Sequence, residues 1–94
     1  MIPETLKIFG HNYIVRMHDD GVLGNNNLGT FLGRQTEILI NRRQSKTQME
    51  STLLHEIIEV INSHQGLGLK HKQINRLETG LYQVLKDNEL GFGK

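Results

Sequence analysis

The residues with the clearest capacity for chemistry in this sequence are His55, Glu56 and Glu59, in the run His-Glu-Ile-Ile-Glu. If the run is helical, residues four apart project from one face, so the His55 imidazole and the Glu59 carboxylate lie side by side. Both groups are ordinary ligands of divalent metals, at about 2.0–2.2 Å. Glu56 lies about a quarter-turn around the same helix. The spacing therefore predicts part of a metal site with a further carboxylate beside it.

The run is a variant of the His-Glu-x-x-His arrangement, in which two histidines bind zinc. In that arrangement zinc lowers the pKa of its bound water to about 7, and the glutamate takes a proton from this water and delivers it to the leaving amine. Glu56 is accordingly the candidate general base of a metal-dependent hydrolase, most simply a peptidase. The competing interpretation is a solvated face of an amphipathic helix, with His55 and Glu59 as a weak surface pair.

A catalytic metal site needs a third protein ligand and an open position, and three downstream residues are candidates. His71 and Glu78 are seven residues apart and share one side of a second predicted helix. We favour His71, because it follows a short glycine-rich turn and adds a neutral nitrogen donor, and we keep Glu78 as the alternative third ligand. His64 points away from His55 and ranks last. Tyr82 continues the line of His71 and Glu78, and its hydroxyl is a candidate donor to a tetrahedral oxyanion.

Two helices are predicted to position these residues. A capping box at Ser45–Gln48 indicates a helix start, and the helical period continues from Thr47 to about Ser63. A second helix is predicted from His71 or Lys72 to Asp87. Its apolar stripe is expected to pack on the first helix, with the site residues at the edge of the seam. Gly80 within this helix costs about 1 kcal/mol relative to alanine and suggests close approach to another element. The stripe consists of Ile74, Leu77, Leu81, Val84 and Leu85.

The first half of the chain is predicted to form strands. Alternating apolar residues from 6 to 17 predict two strands joined by a hairpin turn at Gly10–Asn12, with His11 and His18 at the surface. Leu28–Leu32 and Glu37–Asn41 are predicted to form a second antiparallel pair. The expected fold class is therefore α+β, with a small antiparallel sheet of about four strands followed by two helices. One domain covers residues 1–94, and its tail, 88–94, is expected to be frayed.

The bulk composition excludes several classes of protein. With 11 basic and 10 acidic residues the formal charge is +1, so neither nucleic acid nor a membrane surface is an expected partner. The absence of cysteine excludes disulfides and thiolate metal sites. The N-terminus lacks the pattern of a signal peptide, and no run approaches the roughly 20 apolar residues of a membrane span. A cytoplasmic location is therefore expected.

Several segments together carry a resemblance to a known group of proteins. They are Thr52–Asn62, Leu69–His71 and Leu81–Asn88, preceded by the strand-like segment Ile38–Asn41. In this combination the chain resembles the small zincin-like metallopeptidases encoded by phages and prophages. The resemblance covers roughly residues 5 to 88, and the combination is more specific than its short central motif.

The resemblance implies a minimal zincin fold, in which the second helix supplies a metal ligand. It implies a general base at Glu56 and metal ligands at His55, Glu59 and a downstream residue. It also implies a peptide or protein bound along an edge strand by backbone hydrogen bonds, here Leu28–Leu32, with help expected from the loop at Asn25–Asn27. A phage-encoded protein of this kind would act in the cytoplasm of the host cell.

The chain departs from the usual motif at Glu59, where a glutamate replaces the second histidine. The extra negative charge weakens the Lewis acidity of a bound metal and makes manganese more competitive with zinc. Zinc is the metal expected first, manganese is the alternative, and a degenerate site would bind none. The second hypothesis is therefore a catalytically inactive zincin-fold binding module of phage or mobile-element origin. A self-assembling structural protein is a third hypothesis, which is disfavoured because no surplus apolar face is expected once both helices pack.

Overall fold

The computed structural model describes residues 2–19 and 28–91, and in it a four-stranded sheet precedes two helices. The predicted α+β class, with about four strands followed by two helices, is therefore confirmed. The asparagine loop at Asn25–Asn27 lies outside the described residues. The elements are β1 (Thr5–Ile8), β2 (His11–His18), β3 (Gly29–Leu32), β4 (Glu37–Asn41), α1 (Lys46–Gln65) and α2 (His71–Asp87).

A two-residue turn joins β1 to β2. Ile8 pairs with His11, so the turn consists of Phe9 and Gly10, earlier than the predicted Gly10–Asn12. Both turn residues have positive φ angles, 52° and 82°. Positive φ at both central positions is the mark of a type I′ turn, whose twist matches that of the flanking strands. The tight turn therefore leaves His11 and Asn12 inside β2.

The sheet is mixed, and the prediction of a wholly antiparallel sheet is wrong. The strand order is β1-β2-β4-β3, with β2 and β4 parallel and the other two pairs antiparallel. The reason lies in the chain path: β3 runs antiparallel to β4 on its outer side, so β4 returns beside β2 in the direction of β2, and the buried run Ile38–Ile40 becomes a central strand. β3 is consequently at an edge, as the predicted role of Leu28–Leu32 requires.

Helix α1 begins and ends where its capping residues allow. The Ser45 side chain accepts a hydrogen bond from the backbone N–H of Gln48, which confirms the predicted N-cap. Gly66 ends the helix in the left-handed region, at φ 60°. Between these ends, one side of α1 packs on the sheet and another packs on α2. The sheet-facing residues include Leu53 and Val60, and the α2-facing residues include Leu54 and Ile58.

Helix α2 is rotated away from the orientation that its apolar stripe predicts. Of that stripe, Ile74 is buried against α1, but Leu77, Leu81 and Val84 are 43%, 43% and 44% exposed. The side of α2 that carries Glu78 and Tyr82 faces α1 instead, because these polar groups bond to partners there. The expectation of no surplus apolar face is therefore wrong.

The end of the chain continues from α2 without a break in hydrogen bonding. The backbone N–H of Asn88 donates to Val84 and that of Leu90 donates to Leu85. Residues 92–94 lie outside the described residues, so fraying of the tail stays a prediction. Within residues 2–19 and 28–91, neither helix combines the length and the apolar character needed to cross a membrane.

Candidate metal centre

A cleft of about 340 Å³ opens between the edge of the sheet and the two helices. The β3 side contributes Leu28 and Gly29, and α1 and α2 contribute the remaining walls. Four of the residues predicted to carry chemistry line this cleft, which brings the two helices' polar groups to one place. They are His55, Glu56, His71 and Glu78.

The His55 imidazole is held by a carboxylate on each side. Its Nδ1 lies 2.9 Å from Glu78 Oε1, and its Nε2 lies 3.4 Å from Glu59 Oε2. The Ser51 hydroxyl donates to the other Glu78 oxygen and so orients that carboxylate. An Nδ1–H that donates to Glu78 leaves the Nε2 lone pair directed toward Glu59, which is the arrangement found for many metal-binding histidines.

His71 reaches the same place from the start of α2. Its position is fixed by Asn62, whose side-chain amide both donates to and accepts from the backbone of Leu69, at 3.1 and 2.8 Å. His71 Nδ1 lies 3.8 Å from Glu59 Oε2, and its ring meets the His55 ring edge to face, with centroids 5.2 Å apart. The second helix therefore brings a nitrogen donor to the pair on α1, as predicted.

The ligand atoms of His55, Glu59 and His71 all lie within 4.8 Å of one another. A tetrahedral zinc site with ligands at about 2.0–2.2 Å keeps those atoms about 3.4 Å apart. The His55–Glu59 distance of 3.4 Å matches this spacing, and the wider separations close if the His71 ring, 73% exposed, turns slightly inward. Two nitrogens and one carboxylate oxygen suit zinc or manganese. The residues present therefore fit a divalent metal.

Glu78, the alternative third ligand, contacts Nδ1 of the His55 ring, whereas Glu59 lies near Nε2 of the same ring. Both of its oxygens are engaged, one by His55 and the other by Ser51. The geometry favours His71 as the third ligand and gives Glu78 the position of a group that orients a ligand.

Glu56 is buried beside this cluster, only 5% exposed, which rules out a solvated helix face at this position. Burial has the largest effect and raises the pKa of Glu56. His55 lowers this pKa by less than burial raises it, and the negative charges of Glu59 and Glu78 raise it again, so the pKa is about 7. A carboxyl group that titrates near neutrality is suited to exchange protons with water.

Gly29 allows β3 to approach this carboxylate closely. A Cβ at this position would lie 3.4 Å from Glu56 Oε2, but only 2.7 Å from the Thr52 methyl group and 3.1 Å from the Leu39 carbonyl oxygen. Sequence reasoning did not identify Gly29 as part of the site. A glycine inside a strand, which often marks close approach of a backbone, was the available signal.

Tyr82 takes part in a different arrangement from the predicted one. Its hydroxyl donates to Glu50 Oε1 at 2.7 Å, and Lys86 Nζ donates to the same oxygen at 3.0 Å. Burial raises the pKa of Glu50, but hydrogen bonds that include these two more than offset that effect and hold the pKa at about 2. Burial and the Glu50 contact raise the pKa of Tyr82 to about 12. Because Tyr82 does not line the cleft, its predicted oxyanion role gains no support.

The remaining histidines lie elsewhere. His64 lies near the C-terminal end of α1. Its ring centroid is 5.1 Å from that of Phe9 and 5.6 Å from that of His11, and the rings are tilted against each other. His11 is exposed as predicted. His18 is only partly exposed, and its Nε2 is buried and has no hydrogen-bond partner among the described residues.

Comparisons with known protein families, with curated proteins and with solved structures gave no match for this chain. The chemistry of the site therefore rests on its own geometry. Two imidazoles and the Glu59 carboxylate approach one another, the two imidazoles line an open cleft, and a second, buried carboxyl group lies next to them. These are the parts that metal-assisted hydrolysis requires.

Proposed function

We propose that this chain is a metal-dependent hydrolase and that its substrates are peptides. One observation carries the proposal: the ligand atoms of His55, Glu59 and His71 lie within 4.8 Å of one another, and the two histidines line a cleft that Glu56 also lines. A surface pair would need neither a third donor from another helix nor a buried carboxyl group beside it. The zincin-like character inferred from sequence resemblance agrees with this arrangement and remains part of the proposal.

In this proposal His55, Glu59 and His71 hold the metal, with zinc expected first and manganese as the alternative. A bound divalent cation supplies Lewis acidity and lowers the pKa of water in the cleft. Glu78 positions His55 by accepting from its Nδ1, and Ser51 keeps Glu78 in place. These contacts fix the orientation of the His55 ring before a metal binds, so metal binding costs little further side-chain entropy.

Glu56 is the proposed general base. Its carboxylate accepts a proton from the attacking water and returns it to the leaving amine, so the group ends each turnover as it began. In the metal-free protein, burial and the charges of Glu59 and Glu78 raise the pKa of Glu56, so this group holds a proton more readily than an exposed glutamate does. Burial next to Gly29 keeps bulk water from competing for that proton.

The proposed substrate is an extended peptide that lies along β3. Within residues 2–19 and 28–91, β3 pairs with β4 on one side and with no strand on the other, and its first residue, Gly29, lines the cleft. Backbone hydrogen bonds to an edge strand bind peptides with little regard to sequence. A cytoplasmic location is part of the same proposal and is supported by the lack of cysteine in the sequence.

A second candidate function is an inactive zincin-fold module that binds a peptide or protein along β3. The observation that favours it is the pairing of both His55 nitrogens with carboxylates, of Glu78 and Glu59. Both contacts lie within the protein and need no metal.

The two functions are separated by metal analysis combined with a peptidase assay. The purified chain is dialysed against zinc or manganese, its metal content is measured, and cleavage of an unstructured casein digest is followed by mass spectrometry. The hydrolase predicts about one metal per chain and a loss of at least about 100-fold in Glu56→Gln, which keeps its metal and its fold. Glu4→Gln, at an exposed position, is the matched control. A chain that takes up neither metal overturns the hydrolase, and binding of the uncleaved peptides would then support the module.

A further inference from the structure

Helix α2 carries an apolar stripe on the side that faces away from α1. At about 100° per residue, Leu77, Gly80, Leu81 and Val84 share an arc of about 100°, and we call these four residues the outer stripe. Its three large side chains are each 43–44% exposed. The cleft residues His71 and Glu78 lie on a different side of the same helix, so a partner on the outer stripe leaves the cleft open.

Gly80 forms a notch in the middle of the outer stripe. Among the described residues, no atom lies within 4 Å of the position that a Cβ on Gly80 would occupy. The close approach that a glycine in this helix suggests is therefore not made by the part of the chain that the structure describes. Small residues at a helix contact let two helix axes come nearer, toward the short end of the usual range of about 8–10 Å. The notch thus has the form of a helix-packing site.

The charged residues beside the outer stripe restrict which partner surfaces can pack against it. The basic residues Lys72 and Arg76 stand in the first half of α2, and Asp87 and Glu89 stand at its end. Lys86 is turned toward Glu50 and does not neutralise that acidic end. Arg76 and Asp87 are eleven residues apart, close to three full turns, so they fall on the same flank of the stripe, about 16 Å from each other. Within residues 2–19 and 28–91, Arg76 forms no ion pair, and Asp87 accepts a hydrogen bond from Gln83 at 3.1 Å.

We propose that the outer stripe packs against the outer stripe of a second copy of this chain, with the two helices antiparallel. A two-fold axis near Leu81 sets Arg76 of each copy opposite Asp87 of the other, and it brings the two Gly80 notches close together. A parallel arrangement would leave Arg76 of one copy and Asp87 of the other about 16 Å apart along the helix axes and would not pair them. This interface does not depend on the proposed hydrolase and stands or falls separately from it.

The interface involves a single face of one helix per copy, which is the size of a weak association. We therefore expect a dimer that forms and dissociates with concentration. Sedimentation equilibrium of the full chain at about 5 µM to 1 mM is the test, because a reversible dimer raises the average mass from one chain to two across such a series. A mass of one chain at every concentration overturns the proposal.

Point variants show whether the outer stripe is responsible. Leu81→Gln and Gly80→Gln each raise the dissociation constant at least tenfold, since the first removes an apolar contact and the second fills the notch. Glutamine favours a helix more than glycine does, so Gly80→Gln keeps α2 folded. Leu67→Gln, at a residue 55% exposed in the turn before α2, is the matched control and leaves the constant unchanged. Equal effects of Leu67→Gln and Leu81→Gln overturn the assignment to this stripe.

Charge reversals test the antiparallel arrangement. Arg76→Asp and Asp87→Arg alone each weaken the dimer by about five- to tenfold, because each creates two like-charge contacts across the two-fold axis. The double variant restores an affinity close to that of the unchanged chain. A double variant weaker than either single one contradicts the antiparallel pairing. Circular dichroism of every variant, recorded at the lowest concentration, checks that the monomer is folded.

Discussion

The buried Glu56 carboxyl group makes the stability of the metal-free protein depend on pH in a way that one substitution removes. In Glu56→Gln the side chain keeps its shape and loses its ability to ionise. The folded protein holds a proton on Glu56 more tightly than the unfolded chain does, because burial raises the pKa from 4.5 to about 7. The stabilising contribution of this proton is complete below pH 4.5 and is lost as the pH rises through 7.

The size of the effect follows from the two pKa values. One pKa unit corresponds to about 1.4 kcal/mol, so the change from 4.5 to about 7 corresponds to about 3 kcal/mol. A domain of this length has about 5–15 kcal/mol of stability in total. At pH 8 and without metal, Glu56→Gln is therefore expected to be more stable than the unchanged chain by up to about 3 kcal/mol. At pH 4.5 most of that difference disappears.

Urea unfolding in the presence of a chelator measures this difference. The free energy of unfolding is determined for both proteins at intervals from pH 4.5 to 8.5, and the value for the unchanged chain is subtracted from that of the variant. Glu4→Gln, at an exposed position, is the control in the same experiment. A difference that does not change with pH for Glu56→Gln would refute the assigned burial and pKa of this carboxyl group.

Three further predictions concern the groups around the cleft and the helix seam. Gly29→Ala loses about 1–3 kcal/mol of stability in urea unfolding, because its methyl group meets the Thr52 methyl group, and adding Thr52→Ser restores part of the loss. Tyr82→Phe lowers the free energy of unfolding by about 1–3 kcal/mol, because Glu50 stays buried with one hydrogen-bond donor fewer, and it leaves the kcat of the proposed peptidase unchanged. A normal stability with a kcat about 100-fold lower would instead support the oxyanion role of Tyr82. Glu78→Gln lowers zinc affinity by about 10–100-fold in calorimetric titration, and an unchanged affinity would remove its role in orienting His55.

Features set by neighbouring residues could be predicted from the sequence. The start of α1 follows from the Ser45 side chain and the Gln48 backbone, which are three residues apart. The approach of His55 to Glu59 follows from helix geometry alone. The antiparallel pairing of β3 with β4 could also be predicted, because a turn of four residues joins the two strands. Each depends on contacts within a few residues of the chain, where the pattern of residue types carries the information.

The sheet order and the rotation of α2 depend on contacts between distant segments. The uninterrupted apolar run Ile38–Ile40 did indicate a central strand, since strands buried on both faces lack alternation. Nothing local indicated which side of α2 faces α1. Apolar area alone would have turned Leu77 and Leu81 inward, but hydrogen bonds from Tyr82 to Glu50 and from Ser51 to Glu78 oppose that rotation. The partners of these bonds are 27 and 32 positions apart in the sequence, so no periodic pattern reveals them.

The fully buried Glu50 also determines how far α2 can slide along its neighbour. A shift of α2 by one helical turn, about 5.4 Å, would move Tyr82 and Lys86 away from this carboxylate. The carboxylate would then be buried without these hydrogen-bond donors, and an unpaired buried charge strongly destabilises a folded protein. Leucine contacts alone would tolerate several neighbouring alignments, because they have no preferred direction. Glu50 stands nine residues before Glu59, about 14 Å away along α1. The contacts of Glu50 thus hold the two helices in one alignment, and the same alignment places His71 beside Glu59, the two groups proposed above as metal ligands.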